Sequence, residues 1–426
     1  MVACATVCVR QLAQGRWAAQ MRFWRFLANE QVTVDKLIAG WSEQTGPAAA
    51  GRHVLVLQDT SEIKFATTAE NRRKLGKIKK GNAYGVLLHP ALAVDADSSV
   101  ILGLAGGSLW TRGDEDKAPH AERRLSDKES VRWITTAAQA KETLAAAHMI
   151  TIVVDREGDF YANWALTPTG NVHLLTRLMN DHALTEGGTV RAALAGLPVA
   201  DTAAIELRQR PNRRARTAHL GLRFAALTLK RPAYMADEDL PASRPVHALE
   251  VVEPNPPDGA EPVHWILLTS HVIDSAAAAW RIVEWYRRRW IIEQFFRSLK
   301  LQGFQIEDSQ LQSADRLLKL TAIAAKAAII NMQLVQARDG DDPQPASLAF
   351  TDNEIEAIAA LNTRLQGKTD RQKNPHPPNT LAWAAWVIAK LGGWHPYEAN
   401  PPGPITFYNG LAYFRAFAAG WAFKNV

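Results

Sequence analysis

The chain has 426 residues, which is more than one simple core usually holds, and this length predicts two or three structural units. A hydrophobic fraction of 47% and a charged fraction of 22% are ordinary for a globular protein and exclude a disordered or fibrous chain. The formal net charge of +6 favours an anionic partner without requiring one.

The cysteine content and the apolar runs bear on the redox compartment of the protein and on whether it spans a membrane. Cys4 and Cys8 are the only cysteines, too few for a disulfide scaffold or a four-cysteine zinc site, so a reducing compartment is expected. Residues 1–16 lack the basic segment of a secretory signal. The most apolar predicted helix, near 317–336, is interrupted by two lysines and is not expected to span a membrane.

The first part of the chain predicts helices followed by a buried strand. Residues 10–48 are amphipathic at helical spacing, and residues 53–58 (HVLVLQ) form a β-branched apolar run that ends directly before Asp59. A basic stretch follows, which fits either a mobile, solvated loop or a segment that contacts phosphate, and both interpretations stay open. Its cations are Arg72, Arg73, Lys74, Lys77, Lys79 and Lys80.

A second strand that ends in an aspartate follows a predicted hairpin and helix. Residues 84–95 and 100–110 predict paired strands, and residues 118–147 predict a helix. MITIVV at 149–154 then predicts a buried strand that ends at Asp155. Strand ends of an open α/β sheet often carry sites, although a single such aspartate is more often a turn or helix cap.

The next segment predicts one more core strand and then a change of pattern. Residues 173–178 (HLLTRL) predict a strand that brings Arg177 near the two aspartates. Residues 180–263 are rich in Pro and Gly and contain alternating runs, which predicts a β-rich insertion with long loops. One loop, RQRPNRRAR, has no acidic residue within it, which favours contact with an anionic backbone over simple solvation. Its arginines are Arg208, Arg210, Arg213, Arg214 and Arg216.

Residues 274–303 predict a single helix that carries the most distinctive side chains of the chain. Asp274 or Ser275 can serve as N-cap, and Gly303 stands where a helix would end. Four polar side chains fall within about 60° of one another, opposite an apolar face. They are Tyr286, Arg289, Glu293 and Lys300. A solvated face with an Arg–Glu pair is the default interpretation, but the excess of arginine beside aromatic residues favours a phosphate-facing surface.

The spacing of these four residues resembles the Tyr-Arg-Glu-Lys signature of one branch of the bacterial DDE insertion-sequence transposases, the branch that includes the transposases of composite antibiotic-resistance transposons. The strings DTS at 59–61, KESVRW at 128–133 and DREGD at 155–159 also resemble motifs of this family. The resemblance covers about residues 20–400. It implies an α/β fold with a ribonuclease H-like catalytic core, in which the strands that end at Asp59 and Asp155 lie side by side.

The resemblance also implies metal-dependent catalysis at three carboxylates, Asp59, Asp155 and Glu293. Asp155 is preferred over Glu157 and Asp159 because it directly ends its strand. Carboxylate oxygens suit Mg²⁺ or Mn²⁺, and two such ions can activate a nucleophile and stabilise the leaving oxygen in phosphoryl transfer. The implied activity is cleavage of transposon ends and joining of the freed 3′-hydroxyl to target DNA.

The same resemblance implies contacts with double-stranded DNA. Arg289 and Lys300 would hold phosphates, Tyr286 could hydrogen-bond one, and Trp265 matches a family tryptophan that stacks on a base flipped from the DNA end. From its composition alone, Trp265 would be interpreted as a core residue. The other expected DNA contacts are Arg177, Arg210, Lys79 and Lys80.

Four regions are expected, and each has a role in the family. Residues 1–50 would be a helical remnant of the end-binding region, which is longer in the family, so either this domain is reduced or the true start lies upstream. Residues 51–179 and 264–337 would form the catalytic core, with 180–263 as the β-rich insertion. The helical region 338–426 would mediate a homodimer on DNA, in the cytoplasm at the nucleoid.

Three questions stay open at the level of sequence. The string LAWAAWVIAKLGGW, near 381–394, could expose two tryptophans at an interface or pack on its own core. A ribonuclease H-like nuclease without strand transfer is a rival function, although the β insertion and the Tyr-Arg-Glu-Lys signature count against it. A catalytically silent DNA-binding protein or inhibitor of transposition is a second rival, which the short N-terminus favours and the intact acidic triad disfavours.

Overall fold

The computed structural model shows a mixed α/β protein and describes most of residues 7–424. The residues that it does not describe are 1–6, 14, 69–70, 79–82, 114–122, 208, 210–214, 302, 342–343, 399 and 425–426. Lys79, Lys80 and Arg210, which the sequence predicts to contact DNA, therefore lie outside the described residues.

One mixed sheet of eleven strands organises the described part of the chain. In chain order the strands are β1 (His53–Gln58), β2 (Ser61–Phe65), β3 (Gly76–Lys77), β4 (Tyr84–Asp95), β5 (Ile101–Trp110), β6 (Met149–Val154), β7 (Val172–Arg177), β8 (Asp201–Leu207), β9 (Arg216–Lys230), β10 (Ser243–Val252) and β11 (His264–Thr269). Strands β5, β4, β1, β6 and β7 lie side by side, and β11, β10, β9 and β8 continue the sheet beyond β7.

The two strands that precede aspartates are neighbours at the centre of the sheet. β1 and β6 pair in parallel, with Leu57 opposite Val153, and their apolar runs are buried because the sheet is covered on both faces. Parallel pairing places the carboxyl ends of both strands at one edge of the sheet. Asp59 and Asp155 therefore leave the sheet side by side, as the sequence analysis expects.

Strand β2, which the sequence analysis missed, continues the line of β1 along the same side of β4. β1 pairs with β4 up to Gln58, opposite Ala91, and β2 resumes the pairing at Ser61, opposite Leu88. The register places Pro90 opposite Asp59, and a proline has no N–H to donate to a ladder. Asp59 thus lies at an interruption of the ladder, where its side chain is not confined to one face of the sheet.

Helices cover the sheet and form the C-terminal half of the chain. In chain order they are α1 (Val9–Leu12), α2 (Trp17–Ala28), α3 (Val34–Ala39), α4 (Thr45–Ala48), α5 (Val131–Thr143), α6 (Tyr161–Leu166), α7 (Val190–Ala195), α8 (Ala276–Arg287), α9 (Trp290–Lys300), α10 (Ala314–Ala337), α11 (Asp352–Leu365), α12 (Leu381–Leu391) and α13 (Pro404–Lys424). The helical stretch predicted over 10–48 is thus four short helices. In the described part of 118–147, where one helix was predicted, α5 is the only α-helix.

The single helix predicted over 274–303 is wrong: α8 and α9 are separate helices. Ser275 caps α8, since its hydroxyl accepts the N–H of Ala278. At the junction, Arg289 N–H donates to Tyr286 O (3.0 Å) and Ile291 N–H to Arg288 O (2.9 Å). These bonds span three residues instead of four, so the chain tightens into one 3₁₀-like turn. Side-chain bonds to the sheet hold this turn, because the Arg288 guanidinium donates to backbone carbonyls in the turn after β4.

Helix α10 is a core helix that joins the N-terminal helices to the sheet. By length and composition it could cross a membrane, but 67% of its most apolar window is buried inside the protein, where it packs against β5. Its two lysines are engaged within the fold. Buried Lys319 donates to the carbonyls of Leu27 and Asn29 (both 3.2 Å), and Lys326 donates to that of Trp41 (2.8 Å).

The C-terminal helices pack on their own chain. Trp383 and Trp386, the candidates for an exposed interface, are only 3% and 5% exposed, and α12 packs against α10, α11 and α13. The alternative that α12 packs on its own core is therefore correct. Helix α13 was not predicted, and its Phe407 and Tyr408 are fully buried.

Three histidines cluster at the edge of the sheet opposite the two aspartates. The Thr151 hydroxyl pairs with His53 Nε2 (2.8 Å) and His271 Nε2 (2.7 Å), and the rings of His173 and His271 stack with centroids 3.8 Å apart. Burial lowers the pKa of His53 to about 4 and that of His271 to about 2, and it also lowers the pKa of His173. All three imidazoles are therefore neutral in the folded protein near pH 7.

Acid should destabilise the fold through this cluster. A histidine whose folded pKa is depressed stabilises the fold fully above its unfolded pKa of about 6.5, and the contribution is lost as pH falls toward the folded pKa. For buried His271 the loss between pH 7 and 5 is about 2 kcal/mol. Urea unfolding at both pH values should show a smaller pH-dependent loss in His271→Gln than in the wild type. His395→Gln, at an exposed histidine, is the control and should lose as much stability as the wild type. An equal loss in His271→Gln and the wild type would contradict the role of His271.

Candidate active site

Three carboxylates from separate elements meet at the edge of the sheet where β1 and β6 end. Asp59 lies at the break between β1 and β2, Asp155 directly follows β6, and Glu293 lies in the first turn of α9. Each aspartate is oriented by a hydrogen bond from the backbone N–H of a residue that follows it closely in the chain. Thr60 N–H donates to Asp59 Oδ1 (2.7 Å), and Glu157 N–H donates to Asp155 Oδ1 (2.8 Å).

The pKa of Asp59 shows that the three carboxylates interact electrostatically. The pKa of Asp59 is raised from 3.8 to about 7. Burial is the largest cause, the negative charge of Asp155 is the second, and Glu293 adds to it, whereas Arg289 opposes the shift. Like charges disfavour ionisation when they share a poorly solvated site. The three carboxylates therefore form one electrostatic unit that is short of positive charge.

Arg289 lies between two of these carboxylates. Its Nη1 is 3.3 Å from Asp59 Oδ2 and its Nη2 is 2.8 Å from Glu293 Oε1, with the side chain 18% exposed. The Arg–Glu pair that the sequence analysis treated as the default is thus present, and Arg289 reaches Asp59 as well. The short turn between α8 and α9 places this guanidinium at the centre of the site.

The donor set has the chemistry of a magnesium site, but its present geometry is not that of a coordination shell. Among the described residues, no group of three or more His, Cys, Asp or Glu side chains is placed to hold a metal ion. Carboxylate oxygens are the hard ligands that Mg²⁺ and Mn²⁺ prefer. The raised pKa of Asp59 and the guanidinium between Asp59 and Glu293 both indicate that this cluster favours a cation.

The two acidic rivals of Asp155 have structural partners. The buried carboxylate of Asp159 accepts four hydrogen bonds, which fix the turn after β6. Its donors are Trp164 Nε1, His182 Nε2 and the backbone N–H groups of Met179 and Asn180. Glu157 pairs with Arg132 at 3.2 Å. Asp155, in contrast, raises the pKa of Asp59.

Several of the predicted DNA contacts surround the carboxylates. Tyr286 is buried edge-on against Trp265, with ring centroids 5.8 Å apart, and burial raises the pKa of its phenol. Arg177 donates to the carbonyl of His264 (3.1 Å). Its pKa is lowered by burial and then by two neighbouring cations, Arg156 and Arg289.

Exposed Arg156 is a candidate that the sequence analysis missed, although its position directly after Asp155 was a usable signal. Lys300 lies further from the carboxylates, on the side of β2. Its ammonium donates to the carbonyl of Glu62, and its pKa is lowered, chiefly by burial. This bond uses one of the three N–H donors of the ammonium, and the other two could still contact a phosphate.

The two basic loops are partly anchored within the protein. Arg73 is buried, with its backbone in the left-handed region, and donates to the carbonyl of Ser309 (2.8 Å), which excludes a fully solvated loop at this position. Arg216, the only arginine of the RQRPNRRAR loop in the described residues, pairs with Glu253. This acidic partner directly follows the neighbouring strand β10 and was not predicted from the sequence of the loop.

The site thus consists of two aspartates at the ends of adjacent parallel strands and one helical glutamate, with Arg289 between Asp59 and Glu293. The family model for the transposase DDE domain matches residues 51–332, and the chain belongs to this family. The matched segment runs from just before β1 into α10 and includes all three carboxylates.

Among solved structures, the chain is similar to a piggyBac transposase seen by cryo-electron microscopy in a synaptic complex with hairpin DNA. The sequence identity is 8% and the TM-score is 0.32. The similarity covers 68% of this chain and 53% of that one, so this chain spans about half the length of that protein.

Proposed function

We propose that this protein is a DDE transposase of the branch with the Tyr-Arg-Glu-Lys signature, which cleaves the ends of a DNA element and joins the 3′-hydroxyl to target DNA. One observation carries the proposal. Asp59, Asp155 and Glu293 come from three elements and converge at one sheet edge in a chain of the transposase DDE domain family. The chain has these carboxylates in the order and sequence contexts that the family resemblance implies.

The strand order supports a ribonuclease H-like catalytic core. The hairpin of β4 and β5 lies on one side of β1, and the parallel strands β6 and β7 lie on the other. We assign this core to residues 51–179 and 264–337, and the β-rich insertion to 180–263. The insertion shares the core sheet, because β11 pairs with β7 on one side and β10 on the other.

We assign the metal ligands to Asp59, Asp155 and Glu293, with Mg²⁺ or Mn²⁺ as the ion and two ions per site. Such ions supply charge stabilisation and nucleophile activation in phosphoryl transfer. The protein supplies the positions: the amide of Thr60 orients Asp59, and that of Glu157 orients Asp155. Arg289 cannot act as a base at neutral pH, so its part is to leave the carboxylates and hold a phosphate with two N–H groups.

The DNA partner would lie over the carboxylate edge of the sheet. Arg156 and Arg177, which lie close enough to interact electrostatically, would contact its phosphates, and Tyr286 would contribute its phenol beside Trp265. Trp265 would stack on a base extruded from the duplex, a role that rests on the family resemblance. A homodimer on double-stranded DNA, at the bacterial nucleoid in the cytoplasm, completes the proposal.

The test is a cleavage and joining assay with linear DNA that carries the ends of the element. In Mg²⁺ the wild-type protein should cut at these ends and produce end-to-target joined DNA, and Asp155→Ala should do neither. Cuts without joined products would identify a nuclease, and DNA binding without cuts would identify a regulatory protein. Failure to bind the ends at all would overturn the proposal.

A further inference from the structure

Arg132, in the KESVRW string at the start of α5, connects the segments that carry the two aspartates. Its Nε donates to Thr60 Oγ1 (3.0 Å), and its Nη2 is 3.2 Å from Glu157 Oε2. Its Nη1 donates to the carbonyl of Glu129 (2.8 Å), which fixes the guanidinium to the segment directly before α5. The Arg132 side chain thus connects Thr60, which follows Asp59, to the turn that follows Asp155.

The two residues that Arg132 holds are the residues that orient the aspartates. Thr60 donates its backbone N–H to Asp59 Oδ1, and Glu157 donates its backbone N–H to Asp155 Oδ1. A shift of Thr60 relative to Glu157 would therefore move one carboxylate relative to the other. Arg132 forms no described hydrogen bond with either carboxylate. Its charge interacts directly with Asp155, so a variant that keeps the charge isolates the effect transmitted through Thr60 and Glu157.

The surroundings of Arg132 make this connection rigid. Its side chain is 15% exposed, and the guanidinium carbon lies 5.7 Å from the ring centroid of Trp110 and 5.4 Å from that of Trp133. Aromatic faces attract a guanidinium and limit its rotamers. An arginine with three differently directed N–H groups in use and aromatic rings beside it has few alternative positions.

A buried histidine completes the link to Thr60. His89 is fully buried, which lowers its pKa far below 6.5 and keeps the ring neutral, and its Nδ1 lies 2.9 Å from Thr60 Oγ1. Arg132 can only donate, so the Thr60 oxygen accepts from Arg132, and the remaining hydrogen-bonding capacity of the hydroxyl pairs with His89 Nδ1. The Thr60 hydroxyl is therefore held from both sides.

We propose that Arg132 is a positioning residue that sets the spacing of Asp59 and Asp155 by holding Thr60 and Glu157 in one fork of hydrogen bonds. The inference rests on the proposed function, because the spacing matters for holding a divalent cation. Lysine retains the charge of arginine but offers a single ammonium, which cannot reproduce this planar fork. The geometry of the fork, and not its charge, is thus the property to test.

The test measures Mn²⁺ binding by titration calorimetry on the full chain bound to its DNA end, and DNA-end affinity separately in EDTA. Arg132→Lys should weaken Mn²⁺ binding by about 10- to 100-fold, as is typical when a residue behind a metal ligand is lost, and leave DNA affinity unchanged. Thr60→Val should act in the same direction, and Thr60→Ser should restore wild-type binding. Arg52→Lys, which changes an arginine bound to Asp95 at the other end of β1, is the control and should bind Mn²⁺ normally.

The outcomes separate the inference from the proposed function. Wild-type Mn²⁺ affinity in both Arg132→Lys and Thr60→Val would overturn the role of Arg132 and leave the transposase proposal intact. If Arg132→Lys fails to fold, as judged by thermal unfolding, the comparison of Thr60→Val with Thr60→Ser decides. No saturable Mn²⁺ binding by the wild-type protein bound to its DNA end would instead count against the proposed function.

Discussion

Glu293→Gln should abolish Mg²⁺-dependent DNA cleavage and leave DNA binding nearly intact. The substitution keeps the shape of the side chain and removes the negative charge that completes the cluster with Asp59 and Asp155. Metal ions contribute several kcal/mol to transition-state stabilisation. A loss of about 4 kcal/mol corresponds to about 10³-fold in rate, so cleavage should fall by at least this factor.

The control for Glu293→Gln is Glu284→Gln on the preceding helix. Glu284 is exposed and pairs with Arg287, away from the carboxylate cluster, so its loss should leave cleavage unchanged. Both variants should be compared by gel-based cleavage and by binding to the element ends in EDTA. Substantial cleavage by Glu293→Gln would remove Glu293 from the set of metal ligands.

Arg289→Ala should also lower cleavage, but unlike Glu293→Gln it should keep metal binding. Arg289 bonds to Asp59 and Glu293 in the DNA-free protein, so its removal frees both carboxylates for a cation and should maintain or strengthen Mn²⁺ binding. Cleavage should fall by about 10²-fold, because charge-assisted hydrogen bonds to a phosphate contribute up to about 3 kcal/mol.

Binding to DNA distinguishes a site role of Arg289 from a general charge effect. Arg289→Ala should weaken binding to cleaved ends more than binding to random duplex, since the residue lies at the carboxylates and not on the open surface. Exposed Arg287→Ala is the matched control and should affect both DNAs equally and weakly. Equal loss on both DNAs in Arg289→Ala, or weaker Mn²⁺ binding, would contradict the proposed movement of this side chain.

The core strands could be predicted from the sequence because their patterns are local. β1 and β6 are continuous β-branched runs, and both lie at the predicted residues. The convergence of Asp59 and Asp155 was expected from the family resemblance, and the parallel pairing of these strands confirms it, although their assignment as metal ligands stays a prediction. β2 was missed because its five residues directly follow Asp59 and Thr60, with no turn signal to separate two strands.

The features that the sequence did not reveal depend on distant partners. The break between α8 and α9 is held in part by Arg288, whose carbonyl acceptors lie near residue 96, about 190 positions away in the chain. Helical spacing in the sequence shows only local periodicity, so it cannot reveal that bonds to such distant carbonyls interrupt the helix. The KESVRW string was noticed only as a resemblance, because the partners of Arg132 lie 72 and 25 residues away at Thr60 and Glu157.

The sequence left the surroundings of the C-terminal tryptophans and of the arginine-rich helices open, because the partners of these residues lie elsewhere in the fold. The tryptophans of α12 were candidates for an interface, yet α10, α11 and α13 surround this helix. The arginines beside the central helices suggested a phosphate surface. Two of them, Arg287 and Arg289, have carboxylate partners in the folded chain.

The most direct test of the central claim is a count of Mn²⁺ ions on the protein bound to its DNA end, by titration with electron paramagnetic resonance detection. The account predicts two saturable Mn²⁺ ions per active site in the wild type, as expected for two-metal phosphoryl transfer, and impaired binding in Glu293→Gln. The DNA complex is the required sample, because in the free protein Arg289 lies between Asp59 and Glu293. Absence of saturable Mn²⁺ binding in the wild-type complex, or unchanged binding in Glu293→Gln, would contradict the three-carboxylate site.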